Sequence, residues 1–231
     1  MRSYDRTRPL ISIHIPKCAG TSFRQVLQQW YGNRLLTHYF NEKRNPMPKR
    51  HRLTTGLFNK KFKEGICIHG HFNRERGAGV LDYYPEVDQL ITILRDPFEL
   101  HLSNFFFVKR LGHEAFRNGK RIVIATDDSY DLKRYLEETS SFMLLHLPAD
   151  LTLDNYRDIL EERFIYVGIA EDLQGSVDQL SRVLGFSSVT VGRKNVSPRT
   201  QDVPDGTRER FVRKHPLEFA IYEWALEHYK G

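Results

Sequence analysis

The sequence predicts an α/β fold: a central, mainly parallel β-sheet flanked by helices. Two observations carry this. Short β-branched apolar runs alternate with segments of helical period, as parallel layer folds require. Apolar segments also recur from residue 10 to residue 229 without an internal repeat or low-complexity tract, so 1–231 is read as one domain. Apolar residues at 40% and charged residues at 28% fit a folded globular chain and exclude global disorder.

Leu10-Ile-Ser-Ile-His-Ile15 is short and β-branched, and Pro16 stops it, so it reads as a buried strand. Phe23, Val26, Leu27, Trp30 and Tyr31 then repeat at one-face helical spacing, with Thr21 or Ser22 as the expected N-cap. Residues 41–63 are polar and basic with Pro46, Pro48 and Gly56, and read as a loop. Strands are expected at Ile66–His69, Gln89–Leu94 and Phe164–Val167, and helices at about 97–111, 131–147 and 172–184. The C-terminal segment carries Phe211, Leu217, Ile221 and Trp224 and reads as helical, with Pro216 in a first turn.

Lys plus Arg total 35 against 29 Asp plus Glu, a net charge of +6 that points to an anionic partner without naming it. No run approaches the roughly 18 apolar residues of a membrane span, and the start lacks a signal-peptide core. Two cysteines make no disulfide framework and suit a reducing compartment.

The turn after the first strand is His14-Ile-Pro-Lys-Cys-Ala-Gly-Thr-Ser-Phe23. In a parallel sheet it lies at a strand's carboxyl end, where ligands bind. Gly20 permits close backbone approach, and residues 20–22 present free amides at the positive end of a helix. Thr21 and Ser22 add hydroxyls and Lys17 a mobile cation, which together make a phosphate cradle. It is not a Walker A loop. The plain alternative is an ordinary strand–helix turn with a solvated lysine.

The third expected strand ends in Arg95-Asp-Pro97, with Ser103 two turns into the following helix. An arginine at the end of a buried strand needs an anion or a carboxylate. The plain alternative is an Arg95–Asp96 pair beside a surface serine.

Together, Pro-Lys-x-Ala-Gly-Thr-Ser-Phe and Arg-Asp-Pro with a serine eight positions past the arginine resemble the sulfotransferase superfamily, and imply its P-loop-NTPase-like fold. These enzymes use 3′-phosphoadenosine-5′-phosphosulfate (PAPS) and release PAP. The resemblance implies that Lys17, Cys18, Ala19, Gly20, Thr21 and Ser22 hold the 5′-phosphosulfate, and that Arg95 and Ser103 bind the 3′-phosphate. His69-Gly-His71 and the aromatic stretch Ser103-Asn-Phe-Phe-Phe-Val-Lys-Arg-Leu-Gly112 are similar to the carbohydrate branch containing heparan sulfate 2-O-sulfotransferase and its bacterial relatives. Val167–Leu173 and Asn195–Pro198 are weaker landmarks of the same kind. One departure is Leu100, where the family often has a second arginine; His101 stands next to it.

Sulfuryl transfer to a hydroxyl needs a base for the acceptor proton, and histidine suits that near neutral pH. The likeness assigns the base to His71, with His69 as a second active-site histidine and Lys17 stabilising the departing phosphate. Cys67, His69 and His71 share one face if the strand stays extended. Read without the family, these histidines are structural or surface groups, or part of a Cys-x-His-x-His metal site. No further ligands with metal spacing stand nearby, so no metal is expected.

Among the basic segments, Gly192–Arg199 is read as a surface loop or as a flap over the nucleotide, with Arg193, Lys194 and Ser197 reaching phosphate. Residues 41–63 are a solvated loop or line the acceptor entrance. The expected acceptor is a hydroxyl of a glycan or glycolipid, with no nucleic acid as partner. Animal relatives are typically tethered in the Golgi, so an unanchored chain is expected to be a cytoplasmic, bacterial member. A nucleotide kinase or NTPase with an atypical loop is the alternative enzyme, lacking the Walker lysine pattern and an evident Mg²⁺ carboxylate. A basic nucleic-acid binder leaves the spaced Lys17, His69, His71, Arg95 and Ser103 unexplained.

Overall fold

The structure is a computed structural model that describes residues 2–41, 47–53, 65–110, 114–117, 120–123, 131–192, 202–203 and 205–230. Five parallel strands form the sheet: β1 (Leu10–Ile13), β2 (Leu35–His38), β3 (Cys67–Gly70), β4 (Leu90–Leu94) and β7 (Phe164–Ile169), in the order β2-β3-β1-β4-β7. The antiparallel pair β5 (Glu114–Arg117) and β6 (Lys120–Val123) stands apart from it. The expected α/β architecture with a parallel sheet flanked by helices is what the chain adopts.

Every residue of β1, β3, β4 and β7 is buried, because both sheet faces are covered. One face packs Leu10, Cys67, Ile91 and Ile93 against Phe23, Val26 and Leu27 of α1 (Gly20–Tyr31) and Val177, Leu180 and Leu184 of the later helix at Leu173–Leu184. The alternate residues Ile11, Ile68, Leu90 and Phe164 pack the other face against Ile159, Leu160, Ile221 and Trp224, from helices Tyr156–Arg163 and Pro216–Lys230. A third cluster joins Phe98, Leu102 and Phe105 of the helix Pro97–Arg110 to Leu132, Leu136 and Phe211.

Some sequence expectations change. Residues 131–147 are helical only over Leu132–Glu138. Beyond Thr139 the chain turns, and Met143 and Leu147 join the core cluster of Ile11 and Trp224, whereas Leu132 and Leu136 belong to the cluster around Phe98 and Phe105. The C-terminal segment is two helices, Thr207–Lys214 and Pro216–Lys230, with Pro216 opening the second as its missing N–H permits. Strand β2, the hairpin and the helix Tyr156–Arg163 are additional to the sequence reading. No helix among the described residues is long and apolar enough to cross a membrane.

The chain runs from β1 outward to β2, returns to β3 beside β1, then crosses to β4 on the other side. Ligands bind in such sheets at the carboxyl ends of the strands where the winding reverses. The segments after β1, β3 and β4 meet there.

Candidate active site

The loop after β1 turns sharply. Lys17 and Ala19 both have positive φ, 69° and 56°. Non-glycine residues rarely take that conformation, and such backbone strain gathers at ligand sites. Ala19 is the N-cap of α1 without a side-chain cap bond, so neither Thr21 nor Ser22 caps the helix as the sequence suggested. The first helical bond runs from Phe23 N–H to the Ala19 carbonyl at 3.1 Å, which leaves the amides of residues 20–22 as the unpaired first turn. No acidic side chain lies in that turn to neutralise it. Its dipole and amides therefore favour an anion from outside the chain.

The side chains around this turn have distinct positions. Thr21 is exposed. The Ser22 hydroxyl is buried and donates to the Gly192 carbonyl at 3.1 Å, so its proton is directed at the chain itself. Cys18 is 1% exposed and packs in the core, with burial pushing its thiol up, so it acts as a small apolar filler. The Lys17 ammonium lies 3.9 Å from the centre of the Phe107 ring.

From the end of β4, the Arg95 guanidinium donates to the Lys17 carbonyl at 3.3 Å and sits 3.8 Å from Glu99. The suggested Arg95–Asp96 pair does not form. Asp96 is instead gripped by Arg208, Nη1 to Oδ1 at 3.0 Å and Nη2 to Oδ2 at 2.5 Å, while its Oδ1 also accepts the Glu99 amide at 3.0 Å. Ser103 is partly exposed on the same helix, eight residues past Arg95. Leu100 is fully buried; His101 is too, against Tyr135 and Glu218, so it does not replace an arginine at the surface.

Beyond β3 the ladder extends one more step: the His71 amide donates to the His38 carbonyl at 2.9 Å. Gly70 is required there, because a Cβ would lie 1.8 Å from that carbonyl oxygen. The His71 Nδ1–H donates to the His14 carbonyl at 2.8 Å, which makes Nε2 the lone-pair nitrogen. Burial lowers the pKa of His71, and the His14 hydrogen bond opposes that shift. His69 Nδ1 meets the Ser12 hydroxyl at 2.9 Å, and burial holds His69 at about 3.

Two further histidines join them. His14 stacks on His71 with ring centres 4.3 Å apart, and on His69 at 5.2 Å. His146, from the segment after Thr139, donates Nδ1–H to the Phe72 carbonyl at 2.6 Å and lies 6.1 Å from the His71 ring. The sequence reading passed over both. Placing His14 beside His71 needs the β1–β3 register, Ser12 opposite His69 and Ile13 opposite Gly70, which the sequence does not state. Among the described residues no group of three or more His, Cys, Asp or Glu is arranged to hold a metal ion.

Of the residues expected at the site, Lys17, Gly20, Thr21, Ser22, His69, His71 and Arg95 therefore converge on three adjacent strand ends. Arg193, Lys194 and Ser197 lie outside the described residues, as do 42–46 and 54–64 of the basic loop. Within the described part of that loop, Arg50 pairs with Glu86 at 3.0 Å and Arg52 is exposed.

No protein-family model matches the chain, and no curated protein sequence does either. Among solved structures it is similar to mouse sulfotransferase SULT7A1 complexed with PAP, at 14% identity and a TM-score of 0.43, over 95% of this chain and 68% of that one.

Proposed function

We propose that residues 1–231 form one catalytic domain, a PAPS-dependent sulfotransferase that sulfates a hydroxyl of a saccharide or glycolipid in the cytoplasm. One observation carries the reading: an unneutralised helix N-terminus and a histidine with an open Nε2 share a site, linked by the single residue His14 between them. An anion held on the first is thereby adjacent to a base. The motif resemblance supplies the donor's identity and the carbohydrate character of the acceptor.

The residues present fit such a donor. The first-turn amides of α1, the Lys17 ammonium and the Arg95 guanidinium supply positive charge at the ends of β1 and β4, and no carboxylate occupies the first turn. PAPS supplies, when bound, a sulfuryl group carried on a phosphate leaving group. His71 Nε2 takes the acceptor's hydroxyl proton while its Nδ1–H stays on the His14 carbonyl, so the imidazolium is anchored as it forms. Lys17 and the amides of residues 20–22 hold the negative charge that grows on the phosphate side. Positioning and electrostatics do most of the work, as in phosphoryl transfer. A kinase reading needs a free carboxylate for Mg²⁺, and Asp96, the one following β4, is committed to Arg208 and to the start of its own helix.

Thermal shift with PAP, ATP·Mg²⁺ and duplex DNA tests this. Selective stabilisation by PAP is expected, about 2.7 kcal/mol at a hundredfold excess over Kd, or roughly 5–10 °C for a chain of this length. Stabilisation by ATP·Mg²⁺ alone, or by DNA alone, would overturn the reading.

A further inference from the structure

His71 and the first turn of α1 have tasks in the reaction; the His14 side chain has none, yet it is held from several sides. Its Nδ1 is hydrogen-bonded to the Tyr39 hydroxyl at 2.9 Å. Its ring lies over Gly20, where a Cβ would meet Nε2 at 1.8 Å, so only glycine admits it. On its faces it stacks with His71, 28° from parallel at 4.3 Å, and with His69, 11° from parallel at 5.2 Å.

We propose that the His14 side chain is a positioning residue for the base, so that one residue sets His71 twice: its carbonyl fixes the tautomer and its ring fixes the plane. The assignment rests on the sulfuryl-transfer reading for its activity readout only.

A single Nδ1–H···O bond leaves an imidazole free to swing, because the torsion about its terminal bond is broad. A ring stacked at 4.3 Å restricts that swing while the hydrogen bond to the carbonyl holds Nδ1. The stacked partner must also tolerate the proton that His71 gains. Burial, with smaller contributions from the neighbouring histidines and Arg24, pushes His14 to about 2, so it presents a neutral aromatic face to the imidazolium. The other groups around the pair are His69 and His146, both held neutral with values of about 3, and the fixed cations Arg24 on α1 and Arg76 beyond β3. Any added charge from His14 would oppose proton uptake by His71.

The test compares His14→Ala and His14→Phe with the parent chain by long-range ¹H–¹⁵N NMR of His71 and by steady-state kinetics. His71 is expected with sharp signals of one Nδ1–H tautomer in the parent and with broadened signals in His14→Ala, which keeps the carbonyl but loses the stacked ring. That variant should lose on the order of tenfold to a hundredfold in kcat, the scale of a misplaced group, with the donor KM held. His14→Phe keeps the stacked face and should recover most of kcat. A folded His14→Ala with parent-like His71 signals and unchanged kcat overturns the proposal. If His14→Ala does not fold, Tyr39→Phe replaces it: a smaller loss of kcat with broadened His71 signals supports the assignment, and parent-like signals and kcat overturn it. Turnover that survives His71→Ala would instead remove the base assignment, and the His71 signals in the His14 variants would still decide the role of His14.

Discussion

Arg95 donates from its guanidinium to the carbonyl of Lys17 at 3.3 Å, which straps the end of β4 to a loop residue of positive φ. The strap joins two segments 78 residues apart. Arg95→Ala should therefore act twice, removing a cation from the anion site and freeing the Lys17 backbone. A charge-assisted hydrogen bond is worth about 1.5–3 kcal/mol, so PAP affinity should fall roughly tenfold to a hundredfold. Isothermal titration with PAP measures it. Parent-like affinity in a folded variant would show that Arg95 is only a strap.

His71 should control turnover and leave donor binding alone. His71→Ala removes a positioned base, worth about 10²–10⁴-fold in rate, while the first turn of α1 remains to bind PAP. The pH profile has a definite sign. Burial lowers the pKa of His71 below its ordinary value, so the base is already free at neutral pH and is lost only as pH falls through the lowered value. The acid limb of kcat/KM should lie below the ordinary histidine value of about 6.5. A limb well above it would assign the base elsewhere.

Four of the five sheet strands and the strand–turn–helix that opens α1 were legible in the sequence because they rest on local rules. Short runs rich in β-branched residues within 10–15, 89–94 and 164–167 mark strands that prove buried on both faces, and the spacing from Phe23 to Tyr31 marks the face of α1. What was not legible depends on register and distant pairing. β2 is four residues long and carries Thr37 and His38, too little pattern to separate from a loop. His14 and His146 reach His71 only through β1–β3 pairing and through the turn after Thr139. The partner of Asp96 stands 112 residues away at Arg208, and not at the neighbouring Arg95 that the plain alternative pairs with it.

That distant pair should be a stability element. Arg208 forks onto both oxygens of Asp96 and lies over the rings of Phe98 and Phe219, at 5.5 and 5.8 Å. Asp96 is nearly buried, so losing its partner strands a carboxylate. Arg208 is about half exposed, which limits the gain from charge. Arg208→Ala should cost about 1–2 kcal/mol, or roughly 2–8 °C in Tm. Arg208→Lys keeps the charge without the fork and should recover only part of it. Equal melting temperatures for Lys and Arg would mean that the fork geometry contributes nothing.

Acid should unfold this chain early, because its buried histidines are held neutral. Burial depresses His14 to about 2, His69, His101 and His146 to about 3, and His38 and His215 to about 4. Each folded value lies below the unfolded one, so the unfolded chain binds the extra proton as pH falls below about 6.5, and stability is lost from there toward the folded values. Glu218 has the opposite sign. Burial raises its pKa, so the folded state binds the extra proton in its window and gains stability on acidification, but it is one group against these six and His71, which shifts the same way as they do. Each histidine costs about 1.4 kcal/mol by pH 5.5, and six together are on the order of the whole 5–15 kcal/mol of a typical domain. Urea unfolding at pH 7.5, 6.5 and 5.5 should therefore show a midpoint that falls modestly between the first two and about three times as steeply by the third, with His146→Phe reducing the slope by about one proton. A midpoint unchanged down to pH 5 would mean that these histidines gain their protons inside the folded chain.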